Sequence, residues 1–335
     1  MAEITIMEYS SKYNERWDDF VLLKSTNGTF QQTRKFLNYH PADRFVDNSL
    51  IFLKGSEIIA VLPANIILED NKKVLCSHQG STFGGIVIEK NNIKVSVLSS
   101  ILDELDKYCI NQGICKLHLK MTSQLYAEDK TELIDYMLFN RGYKSSLEVG
   151  YFVDFDNYKD DILSNYSSSV RRHYKSSVKN GLSFCELRGR KGIELFYDVL
   201  LDNYKKFDTL PVHSLEDLYL LKEKILSEKI RFFGVYKEEE VVAASMVFDF
   251  NHSVFHTQYL AARLSHKDLY VNEYLYTNLI TTAKTEGFHY LSFGTATLDG
   301  GKVLNYNLAQ YKEQYGTDQY VNCIYHKFYE EDKLC

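Results

Sequence analysis

The chain has 335 residues, a hydrophobic fraction of 45% and a formal net charge of −6. That length suits two domains with a core each, and the acidic balance excludes a chain that binds nucleic acid over its whole surface, so DNA is not an expected partner. Met1–Trp17 holds no apolar leader-like run, the apolar stretch around Ile58–Leu68 is interrupted by Pro63 and Asn65, and the six cysteines (Cys76, Cys109, Cys115, Cys185, Cys323 and Cys335) show no CxxC spacing. The expectation is a cytoplasmic protein with reduced thiols and no transmembrane segment.

In chain order, the first half predicts strands at Ser49–Lys54, Glu57–Leu68 and Lys73–His78 and a helix at about Lys94–Asn111 ended by Gly113. A strand at Ile114–Met121, a helix near Glu128–Asn140 and a strand at Leu147–Phe155 follow. The second half repeats the order. Its strands are Ile230–Lys237, Val241–Phe250 and Ser253–Ala262, and its amphipathic helix, about Val271–Glu286, is stopped by Gly287. Next come a strand at Phe288–Phe293, a helix at about Lys302–Gln314 and a strand at Gln319–Phe328. The offset between matching elements drifts only from 181 to about 172 residues. This pattern predicts a duplicated α/β unit with mixed sheets, divided as residues 1–155 and 156–335.

The join is of another kind. Asp154–Asp161 carries four acids and one Lys, and the segment 167–181 reads as a helix ended by Gly181. From Ser167 to Lys191 there are seven Lys or Arg against one Glu, a local +6 in a chain of net charge −6. Arg171, Arg172 and Lys175 fall at helical spacing, so this is either a solvated helix face or a cradle for phosphate oxygens.

Five segments together resemble the tandem-domain GNAT-fold acyltransferases. They are Gly28–His40, Ser77–Ile86, Arg171–Gly181, Phe293–Ala296 and Leu304–Gly316. That group includes the Fem-type peptidoglycan aminoacyltransferases and the acetyltransferase-like proteins of surface-polysaccharide loci. The resemblance implies two GNAT-like domains, residues 1–155 and residues 156–335. In such enzymes a sheet opens between its fourth and fifth strands to take the acyl carrier, here Ser253–Ala262 and Phe288–Phe293. Acetyl-CoA-binding members also place a Gly-rich loop before the next helix, where backbone N–H groups hold the pyrophosphate. This chain has Arg263-Leu-Ser-His-Lys-Asp-Leu-Tyr270 there, with no Gly. Arg263 and Lys267 are the side chains that would serve a CoA phosphate in its stead.

Acyl transfer to an amine needs a base, an oxyanion stabiliser and an acid for the leaving group. His256 and Gln258 share one face of their strand, so His256 reads either as a general base or as a hydrogen-bonded structural histidine. Asp208 and His213 lie just before a helix opened by Ser214 and Asp217, and read as substrate contacts or as turn chemistry. By resemblance Lys312 faces the donor phosphate or the reacting carbonyl; otherwise it is a helix C-terminal cation. Asn305 points to the cleft or caps its helix. The resemblance assigns Lys35, Tyr39 and His40 to the acceptor side. Gly84 and Gly85 follow a strand and either admit a close ligand or make a turn.

No P-loop, HExxH or GxSxG pattern and no zinc-ligand spacing is present, so no metal is expected. The sequence reading is an N-acyltransferase that moves an acyl group, acetyl in the first instance, from acyl-CoA to the amine of an amino sugar or its nucleotide- or lipid-linked form, in surface-polysaccharide assembly. The alternatives are a Fem-type aminoacyltransferase using aminoacyl-tRNA on a cell-wall precursor, and a catalytically silent GNAT-fold binding protein.

Overall fold

The structure is a computed structural model, and it describes residues 3–41, 43–207 and 209–329. By compactness the chain divides into two units. Unit 1 comprises residues 1–148, 298–303 and 320–335, and unit 2 comprises residues 149–297 and 304–319.

In chain order, the first strands and helices are β1 (Ile4–Glu8), α1 (Asn14–Asp19), α2 (Arg34–Leu37), β2 (Val46–Asp47), β3 (Leu50–Lys54), β4 (Glu57–Leu62), β5 (Ala64–Glu69), β6 (Lys72–Ser77) and β7 (Val87–Ile88). Next come α3 (Val95–Asn111), β8 (Ile114–Lys120), α4 (Glu132–Asn140), β9 (Lys144–Asp154), α5 (Ser168–Lys179), β10 (Leu182–Leu187), α6 (Gly189–Tyr204) and α7 (Leu215–Leu220). The chain continues through β11 (Ile230–Lys237), β12 (Glu240–Phe250), β13 (Val254–Ala262), α8 (Val271–Thr285), β14 (Tyr290–Thr295), β15 (Thr297–Leu298), β16 (Val303–Leu304), α9 (Tyr306–Glu313) and β17 (Asp318–Phe328).

In unit 1, β1, β3, β4 and β7 form one sheet, and β17, β8, β6, β5 and β2 lie side by side in another. The expected single strand Glu57–Leu68 is two strands in separate sheets. Pro63 has no N–H for a ladder and ends β4, and the chain re-enters as β5 beside β6. Helix α3 buries Leu98, Ile101, Leu102 and Leu105 at helical spacing against Leu75, Leu117 and Leu119 of that second sheet.

In unit 2, β10, β11, β12, β13, β14 and β9 follow one another across a mixed sheet. Only the β13–β14 pair is parallel; the others are antiparallel. Helix α8 packs Val271, Leu275, Leu279 and Ala283 onto Phe233, Val247 and Phe255. Gly287, at φ +83°, ends it in the left-handed region.

Two expectations need correction. The helix predicted near Glu128 starts only at Glu132, and the helix expected at about Lys302–Gln314 begins at Tyr306. Gly300 and Gly301 take positive φ (60° and 93°), which interrupts the helical path, and the chain makes the short β15–β16 pair before Asn305 starts α9. The compact units also differ from the 155/156 split: the division runs through β9 and through β17, so the last strand is counted mostly with unit 1.

Candidate functional site

The parallel register of β13 and β14 holds only for Val254 with Tyr290, Phe255 with Leu291 and His256 with Ser292. Beyond it β13 runs on to Ala262, while β14 turns at Gly294, whose φ is +68°. The two strands part there. On its other edge β13 carries a bulge: Met246 faces Tyr259 but Val247 faces Thr257, which leaves Gln258 as the extra residue. A bulge frees a main-chain position and re-aims neighbouring side chains. The strand opening expected from the sequence is therefore present in unit 2, and a local irregularity sits on its lip.

A chain of polar groups lines that parting. The Nζ of Lys312, on α9, donates to the carbonyls of Gly294 (3.0 Å) and Thr295 (2.8 Å). The Gly294 N–H donates to Ser292 Oγ at 3.1 Å, and Ser292 Oγ lies 3.2 Å from His256 Nδ1. Lys312 is only 3% exposed. Burial without a carboxylate partner pushes its ammonium down to about 7. Burial, assisted by the charge of Lys312, pushes His256 down to about 4. Lys312 thus holds a proton loosely near neutral pH, and His256 is a neutral imidazole there. An ammonium has three N–H donors, and Lys312 commits two of them to backbone carbonyls.

Asn305 caps α9 by accepting from Leu308 N at 3.1 Å. Tyr311 on α9 and Tyr315 just beyond its end bond OH to OH at 2.8 Å, and both pack on Tyr276 of α8. His213 Nδ1 meets the hydroxyl of Tyr259 on β13 at 2.8 Å. Asp208 lies outside the described residues.

The entry to α8 is the place where a CoA pyrophosphate would be sought, and the side chains assigned to that task differ in their freedom. Arg263 pairs with Asp198, with Glu240 at 3.0 Å and with the carbonyl of Val241 at 2.9 Å, so it is already committed. Lys267 is exposed. Tyr270 enters the helix at φ +57° and gives no side-chain cap. A buried carboxylate, Glu273, occupies the first turn, with His173 Nδ1 at 3.4 Å. Glu273 and Ser292 were not singled out from the sequence, and Gly294 entered only as part of the Phe293–Ala296 segment. The Phe293-Gly-Thr-Ala segment was the signal available for Gly294.

Helix α5 starts from Ser167, whose Oγ accepts from Val170 N at 3.3 Å and whose N–H donates to the carbonyl of Gln314, two residues past Lys312. Arg171, Arg172, Lys175 and Lys179 line one surface hollow with Ser168 and Ser176. Among the described residues none of these four cations forms an ion pair, unlike Arg190, Arg231 and Arg263 of the same unit.

In unit 1, Lys35 is exposed, and the Tyr39 and His40 rings lie against each other with centres 4.1 Å apart and planes tilted by 36°. His40 Nε2 lies 3.0 Å from the carbonyl of Gly80. A Cβ on Gly84 would lie 2.5 Å from Ser77 Cβ, and one on Gly85 would lie 2.8 Å from Met121 Sδ. Both glycines therefore admit the chain's own strands.

Residues 164–313 match the acetyltransferase (GNAT) domain. The chain carries a GNAT domain. That makes it an N-acyltransferase, and the domain spans the parting of β13 and β14, the capped helix α9 and Lys312. Solved structures show that the fold of the whole chain is that of tandem GNAT proteins. The crystal structure of FemX, at 12% identity, covers 97% of each chain with a TM-score of 0.68. The C-terminal domain of a putative lysylphosphatidylglycerol synthetase from Agrobacterium fabrum, at 10% identity, covers 94% of this chain and 92% of that one with a TM-score of 0.59. A tandem GNAT protein from the clavulanic acid biosynthesis pathway, at 8% identity, covers 97% of this chain and 98% of that one with a TM-score of 0.56. A search of curated proteins finds no match. Among the described residues, no group of three or more His, Cys, Asp or Glu is placed to hold a metal, and no helix of this GNAT chain is long and apolar enough to cross a membrane.

Proposed function

We propose that unit 2 transfers an aminoacyl group from an aminoacyl-tRNA to a primary amine of a cell-wall or surface-glycan precursor, with Lys312 as the proton carrier. The observation that carries this reading is the buried Lys312 at the parting of β13 and β14. Burial brings Lys312 down to about 7, so near neutral pH its side chain is populated as a neutral amine that can take a proton and as an ammonium that can return it. The neutral acceptor amine attacks the ester carbonyl carbon. The C–N bond forms, the C–O bond to the ribose breaks, and the proton leaves the attacking nitrogen for Nζ and passes to the departing ribose oxygen. Gln258 at the bulge is the polar group nearest in sequence to serve the developing oxyanion. His256 supports as a neutral hydrogen-bonding group: a base near 4 has little proton affinity at pH 7.

Three features favour an RNA ester over acyl-CoA. Arg263 is spent on two carboxylates, Glu273 puts negative charge in the first turn of α8, and α5 offers four uncompensated cations beginning beside the end of α9. The names of two neighbours, FemX and a lysylphosphatidylglycerol synthetase, agree with aminoacyl transfer. The acetyltransferase match favours a second reading, in which acetyl-CoA serves the amine of an amino sugar. There Lys267 and the first-turn N–H groups of α8 would hold the pyrophosphate. Unit 1, with Lys35, Tyr39 and His40, is assigned to the acceptor in both readings. Calorimetry decides between them. We expect binding of a charged RNA microhelix and none of acetyl-CoA at millimolar concentration; the reverse result replaces the first reading with the second.

A further inference from the structure

The geometry points to Glu273 as the residue that selects the transferred group: its carboxylate receives the α-ammonium of an aminoacyl donor and keeps phosphate out of the first turn of α8. The inference rests on the aminoacyl-ester reading above and names what that reading leaves open, the feature of the acyl group that is recognised.

Glu273 is only 9% exposed. A buried carboxylate requires donors, because each ionised oxygen is an acceptor only. Yet the described residues give it a single polar neighbour, His173 Nδ1 at 3.4 Å, which is long for a hydrogen bond. That imidazole is itself held in place, stacked on Tyr270 with centroids 4.3 Å apart and planes 10° apart. The helix N-terminus favours the negative charge, and the Glu273 side chain keeps 12% of its surface open, the side from which a ligand can reach it. A cationic donor from outside would complete the carboxylate's hydrogen bonding.

The surroundings suit an ammonium next to the reacting carbonyl. Burial and then the charge of Glu273 raise the Tyr276 phenol, and the same carboxylate contributes, after burial and a neighbouring tyrosine, at Tyr311 and Tyr315. Tyr276, three residues on from Glu273 along α8, packs on Tyr311 and Tyr315 with ring centres 5.7 and 5.0 Å apart, and these two tyrosines flank Lys312 in sequence. Aromatic faces beside a carboxylate are a favourable setting for a cation. An acetyl group has no charge to place there. A pyrophosphate directed at the same turn meets a like charge in partly desolvated surroundings, where repulsion is little screened. One residue thus attracts a charged aminoacyl group and disfavours CoA.

The test uses the full chain and three probes: an RNA microhelix bearing alanine through a 3′-amide, the same RNA bearing N-acetylalanine, and acetyl-CoA. Wild-type protein is expected to bind the free-amine RNA at least about 10-fold tighter than the N-acetylated RNA, the size of one charge-assisted contact. Glu273→Gln should remove that preference and Glu273→Asp should retain part of it, with thermal melting confirming that both variants fold. Equal binding of the two RNAs by the wild type, or a preference that survives Glu273→Gln, overturns the inference. If acetyl-CoA binds the wild type and neither RNA does, the aminoacyl-ester reading fails. Glu273 is then judged on acetyl-CoA alone: at least about 5-fold tighter binding by Glu273→Gln upholds the exclusion of phosphate, and unchanged binding overturns the inference as well.

Discussion

Units 1 and 2 each carry a parallel strand pair at the same place in the repeated order, β6–β8 and β13–β14, and the two pairs end differently. In unit 1 the pair holds register up to Cys76 with His118. Beyond that point the chain itself fills the space: Gly84 N donates to the carbonyl of Lys120 at 3.0 Å, and Lys120 N donates to Ser77 Oγ at 2.7 Å. In unit 2 register stops at His256 with Ser292, and the polar series Lys312, Gly294, Ser292 and His256 lines the parting. One architecture thus gives a sealed pair and an open one. A short loop with two glycines makes the difference, because Gly84 has room for a hydrogen only. The unit with the open pair is also the unit matched to the GNAT domain.

The comparison breaks first at Lys312. Lys312→Met should lower kcat by on the order of 10²-fold or more, the scale of removing one group that acts on the transition state. The same change should remove the pH dependence of stability that the buried lysine contributes, because Met carries no proton in either state. The sign follows from the depressed ammonium. Between about 7 and the ordinary lysine value of 10.5 the unfolded chain binds more protons than the folded one, so wild-type stability rises with pH across that window. Steady-state kinetics and melting at pH 6 and pH 9 check both halves. An unchanged kcat in a folded variant removes Lys312 from the chemistry. In the wild type, kcat should rise with pH through a limb near pH 7.

Gly84→Val tests the sealed end. Its Cβ would meet Ser77 Cβ and the backbone of His78, so a loss of about 1–3 kcal/mol is expected from overpacking. Gly294→Ala is the matched change in unit 2. Its Cβ would meet only His256 Cε1 at 3.7 Å, and the cost is the positive φ, about 1 kcal/mol. Equal losses in urea unfolding would contradict the claim that one end is filled and the other open.

The cations of α5 come next. The triple change of Arg171, Arg172 and Lys175 to Ala should weaken donor RNA about 10-fold or more and flatten the salt dependence of binding, with kcat at saturation nearly unchanged. A salt slope equal to that of the wild type would return α5 to a solvated surface. The smallest expected effect is at His256. His256→Asn should lower kcat by about 10-fold or less and leave the limb near pH 7 in place, because a group near 4 does not titrate there. Loss of that limb would transfer the proton role from Lys312 to His256.

Much of the architecture was legible in the chain. Apolar residues at helical spacing located α3 and α8, Gly113 and Gly287 marked their ends, and the order of strands announced the repeat. Local chemistry suffices for such features, since periodicity and punctuation act over a few residues. Ser167 and Ser214 likewise cap helices where the sequence placed helix starts, while Asn305 caps a helix that begins later than the sequence placed it. Tertiary structure decided the rest. Whether Lys312 is a surface cation or a buried one depends on α9 folding back onto the turn at Gly294, residues 18 apart that no spacing rule links. Arg263 looked available for phosphate until Asp198 and Glu240, 65 and 23 positions away, were brought against it. Pro63 divided one expected strand between two sheets, and Gly84 filled in unit 1 the space that its counterpart in unit 2 leaves open. The sequence by itself determined which segments would be strands and helices. Their partners, and with them the burial that sets a lysine near 7 and a histidine near 4, came only from the packed chain, because desolvation and charge pairing depend on neighbours distant in sequence.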